Sequence, residues 1–255
     1  MNQHTSPFST TEAAADGTIL RDPRRPQPRY SPRKALYHFR ELLKDKEETS
    51  HVFKIFESLP SKHFMPRVRD LTMSERGEKL RADEPFLPPI LDDHEALRRL
   101  PKGSVAHAYC DFMEREGLSA AGLVAESEKL GNPRYGDLTE WFGFRQRDTH
   151  DLMHVLTGYG RDGLGEQCVL LFTHGQSPSH GHLLIGYLGA LNIRKTVKGS
   201  AAPVWKACRQ AHRTGKACPP LVEMSIRDLL ATDLEEARRL ARPLPPPASP
   251  AGRRG

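Results

Sequence analysis

Two histidines four residues apart, His150 and His154, are the chain's clearest chemical signal. On a helix this spacing puts both imidazoles on one face, one turn apart, so their nitrogens can share a single ion. Asp151 lies about 100° further round the axis, at the edge of that face, where a carboxylate oxygen can join them. Gly158, Gly160, Gly163 and Gly165 follow within a short stretch. So dense a run of glycine ends a helix and turns the chain. Glu166 then falls in the first turn of the next helix, and a helical hairpin returns its carboxylate towards His154. Facing helices build bundle metal sites in this way. The expectation is one divalent metal ion held by His150, Asp151, His154 and Glu166. The competing reading has both histidines as helix-face residues that hydrogen-bond carboxylates. Nitrogen and oxygen donors suit zinc, and two histidines with carboxylates suit non-haem iron equally.

The elements that must position this site are helical. Ser31-Pro32 marks a helix start, with Leu36, Phe39, Leu42 and Leu43 at helical spacing. A short helix covers Val52 to Leu59, another follows Gly103-Ser104, and a fourth is capped by Ser119. The pattern predicts a long helix over 136–157, then helices over 164–174, 180–197 and 200–214, and a last one after Thr232-Asp233. Alternation with period two is nearly absent. The expected fold is all-α: a single-domain multi-helix bundle over 31–242, with a disordered basic arm over 1–30 and a disordered Pro-rich tail over 243–255.

The net charge of +6 favours anionic partners, and the arginines of the N-terminal arm suit a membrane surface or simple solubility. Nothing matches a nucleic-acid-binding module, so nucleic acid is not an expected partner. Cys110, Cys168, Cys208 and Cys218 form no C-x-x-C pair and read as reduced thiols. Residues 1–20 lack the apolar core of a signal peptide, and no stretch is long and apolar enough to span a membrane. The expected location is cytoplasmic, peripheral at the inner membrane. His174, His180 and His182 read as loop or helix-start polar residues. The apolar run Leu183–Leu191 reads as a closely packed helix or the wall of an isoprenoid tunnel, and Arg194, Lys195 and Lys198 as a solvated helix end or an anion contact.

The string His150-Asp151-x-x-His154, with Gly158, Gly165 and Glu166 at their spacings, resembles the metal motif of the fourth Coq protein of ubiquinone (coenzyme Q) biosynthesis. The run Leu97-x-x-Leu100-Pro101-x-Gly103-Ser104, leading to Tyr109-x-x-Phe112-Met113, is similar to the family's approach to its metal-bearing helix. The resemblance covers about 31–240. It implies an all-helical protein that removes the C1 carboxylate of a polyprenylated hydroxybenzoate, coupled to hydroxylation there. It also implies association with other ubiquinone-biosynthesis enzymes at a membrane; a homodimer is a further expectation. Two other readings compete: a non-catalytic scaffold that binds prenyl lipids, and a zincin-like hydrolase in which Asp151 is a general base.

Overall fold

The computed structural model describes residues 12–45, 48, 50–196 and 203–241. Among these there is no strand; two isolated bridges, Ala13 with Ile19 and Ser104 with Asp233, are the only β pairings. In chain order the helices are α1 Pro32–Lys44, α2 Ser50–Ser58, α3 Phe64–Thr72, α4 Glu75–Asp83, α5 Pro88–Leu91, α6 His94–Arg98, α7 Val105–Glu116 and α8 Ala120–Glu128. There follow α9 Leu138–Asp148, α10 His150–Thr157, α11 Gly163–Gln176, α12 His180–Thr196, α13 Val204–Ala217, α14 Ile226–Ala231 and α15 Leu234–Ala241. The expected all-α fold is therefore what forms.

Many helix starts follow from their cap residues. Ser119, Asp137, Asp162 and Ser225 each accept a hydrogen bond from a first-turn backbone N–H that would otherwise go unpaired. The largest core joins Tyr109, Phe112 and Met113 of α7 to Leu152, Met153, Val155 and Leu156 of α10 and to Val169 and Phe172 of α11. Helix α11 is the central element, flanked by α10, α12 and α13. Its close approach to α13 depends on Gly215, where a Cβ would stand 2.0 Å from the Phe172 carbonyl oxygen. On α12, Gly186 and Gly189 would drive a Cβ into Leu171 and Gln167 of α11. Those glycines of the apolar run thus serve tight helix packing. Arg194 and Lys195 end α12, whereas Lys198 lies outside the described residues.

Two expectations are corrected. The predicted helix over 136–157 is two helices, because Thr149 interrupts it with φ −85° and ψ 0°. The Thr149 hydroxyl donates back to the Arg145 carbonyl at 2.9 Å, a bond that competes with the helix ladder and bends it.

The arm expected to be free over 1–30 is not free from residue 12 onward. Leu20 has no exposed surface and packs with Ala14 against Val68, Leu71, Leu138 and Phe142. The carbonyls of Ile19 and Leu20 accept from the N–H groups of Leu138 and Thr139, so this segment caps α9. Arg25 Nε pairs with Asp137 at 2.6 Å. Residues 1–11 and the tail 243–255 lie outside the described residues.

His180 and His182 lie in the first turn of α12, as expected of helix-start residues; His182 has a buried Nδ1 without a hydrogen-bond partner, and its ring stands 4.5 Å from that of Phe56. The apolar packing of α12 against α2 and α11 draws it in.

Candidate metal centre

Helix α10 begins at His150, so His150, Asp151 and His154 occupy its first two turns. Gly158, in the left-handed conformation at φ +69°, ends the helix and turns the chain. Asp162 caps α11 through the N–H groups of Leu164 and Gly165. Gly165 is required by a close approach, since a Cβ there would fall 2.0 Å from the Gly160 carbonyl oxygen. The tight return places Glu166 opposite both histidines.

One ligating atom from each of His150, Asp151 and His154 lies within 4.8 Å of the others. These three residues could hold a metal ion. Glu166 Oε2 stands 3.6 Å from His154 Nε2 and 3.8 Å from His150 Nε2. Those separations exceed a good hydrogen bond. They suit two donors that each reach a common ion about 2.1 Å away, which stand roughly 3–4 Å apart.

His154 is the most informative member. It is buried, and its ring stacks on Phe112 at 5.5 Å between centroids. Its Nδ1–H donates to the Tyr159 carbonyl at 2.9 Å, which fixes the tautomer and leaves the lone pair on Nε2. That Nε2 is buried and makes no hydrogen bond. A buried polar atom left alone is costly, so an atom prepared in this way suits a metal that supplies its partner. Neighbouring side chains of His150 and Glu166 keep about a third of their surface, at 31% and 30%, so the cluster is open on one side.

Charge is distributed to match. Burial acts to raise the Glu166 pKa, but the facing imidazoles of His150 and His154 outweigh it and hold the carboxylate well below its ordinary range. For His150, burial acts to lower the pKa, but the Glu166 carboxylate and the charge of Asp151 prevail and raise it. Arg161 Nε lies 3.7 Å from Glu166 Oε1, on the outer side. Burial pushes His182 down to about 3, helped by the charges of His150 and His174, so it is a neutral imidazole beside the cluster.

The grouped ligating atoms are those of His150, Asp151 and His154; Glu166 is not one of that group, although it faces both histidines at 3.6 and 3.8 Å. Among the described residues, His174, His180 and His182 do not join the grouped ligating atoms. His174 Nδ1 is engaged with the backbone of Ser179 instead. Sequence reasoning missed the Tyr159 carbonyl, the Phe112 stack and Arg161. A backbone acceptor carries no residue-type signal, and Phe112 shows its helix face without showing its partner.

A family model for coenzyme Q (ubiquinone) biosynthesis protein Coq4 matches residues 43–247, which include the whole cluster. The chain belongs to the Coq4 family. Among curated Coq4 relatives, the mitochondrial ubiquinone biosynthesis protein COQ4 of Lachancea thermotolerans is 23% identical over 202 residues, covering 79% of this chain. The corresponding Kluyveromyces lactis protein is 24% identical over 179 residues, covering 70% of this chain. The chain spans 60% and 52% of those two relatives' own lengths. A crystal structure from Nostoc punctiforme, at 20% identity, superposes with a TM-score of 0.60 over 83% of this chain and 98% of that one, which shows the shared fold. Those curated relatives are named as mitochondrial, so they lend no support to the expected cytoplasmic location. No helix among the described residues is long and apolar enough to cross a membrane.

Proposed function

We propose that this Coq4-family protein acts in ubiquinone biosynthesis as a metal-dependent enzyme that removes the C1 carboxylate of a polyprenylated hydroxybenzoate, coupled to hydroxylation at that carbon. The observation that carries the metal assignment is the buried, unpartnered Nε2 of His154, oriented by Tyr159 and set beside His150, Asp151 and Glu166. The family match supports the pathway. His150, Asp151, His154 and Glu166 would hold one divalent ion, zinc or iron, which when bound supplies a Lewis-acid centre for a substrate carboxylate or phenolate.

The chain's own residues set the conditions around that centre. The two carboxylates of Asp151 and Glu166 offset a double positive charge. Phe112 covers the ring of His154 and excludes water from that side. The exposed sides of His150 and Glu166 leave a route for an aromatic acid from solvent or membrane. Replacing carboxylate by hydroxyl is a two-electron oxidation: the ring carboxylic acid, water and dioxygen give the phenol, carbon dioxide and hydrogen peroxide, with dioxygen accepting the two electrons. In this reading the protein works beside other ubiquinone-biosynthesis enzymes at a membrane, and as a homodimer.

The test begins with metal content. Protein purified without chelators should carry about one zinc or iron ion per chain by mass spectrometry, and His154→Ala should carry none. Protein loaded with that metal should then release carbon dioxide from a prenylated hydroxybenzoate. Full metal occupancy with no turnover would leave a metal-stabilised scaffold as the better reading. Absence of metal in both proteins would remove the basis of the proposal.

A further inference from the structure

Large apolar side chains that stay exposed are concentrated at one place among the described residues. Tyr30 and Tyr37 are 58% and 57% exposed, and Leu36 and Leu43 are 38% and 37% exposed. All four belong to α1 or the turn before it. At 100° per residue, Arg33, Arg40 and Lys44 run down the middle of the outward face. Leu36 and Leu43 lie along one side of that row and Tyr37 along the other. Arg33, Lys34, Arg40 and Lys44 are all exposed, as is Arg29 just upstream. Glu41 and Asp45 are the acidic residues of this stretch, and Glu41 pairs with Lys44 at 2.7 Å. The inward face, Ala35, His38 and Phe39, is buried. There Ala35 and Phe39 pack with Ile55 of α2 and Ile185 of α12, so α1 is fixed to the body with its mixed face outward.

We propose that the outward face of α1 is an interfacial docking surface for an anionic lipid bilayer, with the leucines and tyrosines entering the headgroup boundary and the arginines and lysines meeting lipid phosphates. Each half of the pattern needs this partner. Exposed leucine and tyrosine gain by leaving water, which a phosphate-bearing polymer alone does not offer them. A second copy would bring the same row of cations against itself in a two-fold interface and repel it. An anionic bilayer satisfies both, because the apolar stripe enters its surface while the cations stay at the phosphate level. The inference rests on the membrane association proposed above and names its surface; it does not depend on the metal centre.

The test uses the full-length protein, phosphatidylcholine vesicles, and phosphatidylcholine vesicles containing phosphatidylglycerol, with co-sedimentation at low and high salt. Binding is expected to the anionic vesicles, to weaken with salt, and to be slight on phosphatidylcholine alone. Arg33→Gln with Arg40→Gln should weaken it roughly 30-fold, from two cations lost at the surface. Leu36→Ser with Leu43→Ser should weaken it at least about tenfold. Arg209→Gln with Arg213→Gln, the same charge change at exposed positions of α13, should leave it intact. Circular dichroism should show unchanged helix content in every variant. The proposal is overturned if wild-type protein ignores anionic vesicles, if the α13 pair reduces binding as much as the α1 pair, or if lipid composition makes no difference. A concentration-dependent dimer broken by Leu36→Ser with Leu43→Ser, without vesicle binding, would assign the face to self-association instead.

Discussion

Two clusters of polar side chains, one buried and one half-buried, occupy consecutive helices and are built on opposite plans. On α9, Arg145 forms an ion pair with Glu84 at 2.7 Å, both side chains nearly without exposed surface. Arg145 also donates to the carbonyls of Val222 and Met224, while Glu84 accepts from the N–H of Arg227 at 2.7 Å and the hydroxyl of Ser225. On α10 the His150, Asp151, His154 and Glu166 group has spacings just beyond hydrogen bonding and one buried nitrogen with no partner. The first cluster closes on itself and ties α4, α9 and the segment before α14 together. The second stays short of closure, and that is the chemical difference between a clamp and a receptor.

The largest effect that tests this contrast is on stability. Glu84→Ala should destabilise the fold by about 3–5 kcal/mol in denaturant unfolding, because it strands a buried guanidinium. Glu166→Gln should leave metal-free stability within about 1 kcal/mol, since that carboxylate is partly exposed, yet should abolish stoichiometric metal. If both variants were equally unstable, the two clusters would be one kind of thing.

Next in size is the response to pH. The raised pKa of His150 means its contribution in metal-free protein is complete below the unfolded value of 6.5 and is lost as pH rises through the folded value. The depressed pKa of Glu166 means its contribution is present above the ordinary 4.5 and is lost as pH falls through the folded value. Metal-free stability from this group should therefore be fullest between those two ordinary values. Metal needs deprotonated imidazoles, so the stabilisation it adds should grow as pH rises from acid through neutrality. Melting temperatures with and without zinc across pH should diverge upward; parallel curves would mean that the imidazoles do not bind the ion.

The smallest effect is at the rim. Arg161→Gln removes a cation 3.7 Å from Glu166 and should tighten metal binding a few-fold, within the roughly 1 kcal/mol expected of an exposed pair. Weaker binding would show that Arg161 holds Glu166 in place rather than competing with the ion.

Much of this architecture could be read from residue types. The four-residue step from His150 to His154, the glycine run and Glu166 are local signals, and each survives folding because helix geometry is local. The Thr149 break was hidden because threonine is tolerated in helices; only its hydroxyl bond to Arg145 O reveals the bend. The short helices α3 to α6 span few turns and gave little periodicity to detect. Residues 12–25 looked like a free arm because their anchoring depends on single residues, Leu20 and Arg25, whose partners lie far away in the sequence. The orphaned lone pair of His154 could not be foreseen either, since it depends on a backbone carbonyl finding Nδ1.

That anchored N-terminal segment also bears on the order in which the molecule can be assembled. Leu20 and Asp22 leave the ribosome before their partners, since Asp137, Leu138 and Phe142 are synthesised more than a hundred residues later. Contacts so distant along the chain close slowly. Until α9 exists, Leu20 has no complete site, and the first turn of α9 in turn waits for the carbonyls of Ile19 and Leu20. A segment made before the helix it caps is thus among the last to find its seat, and it locks in place the helix that leads into the candidate metal site.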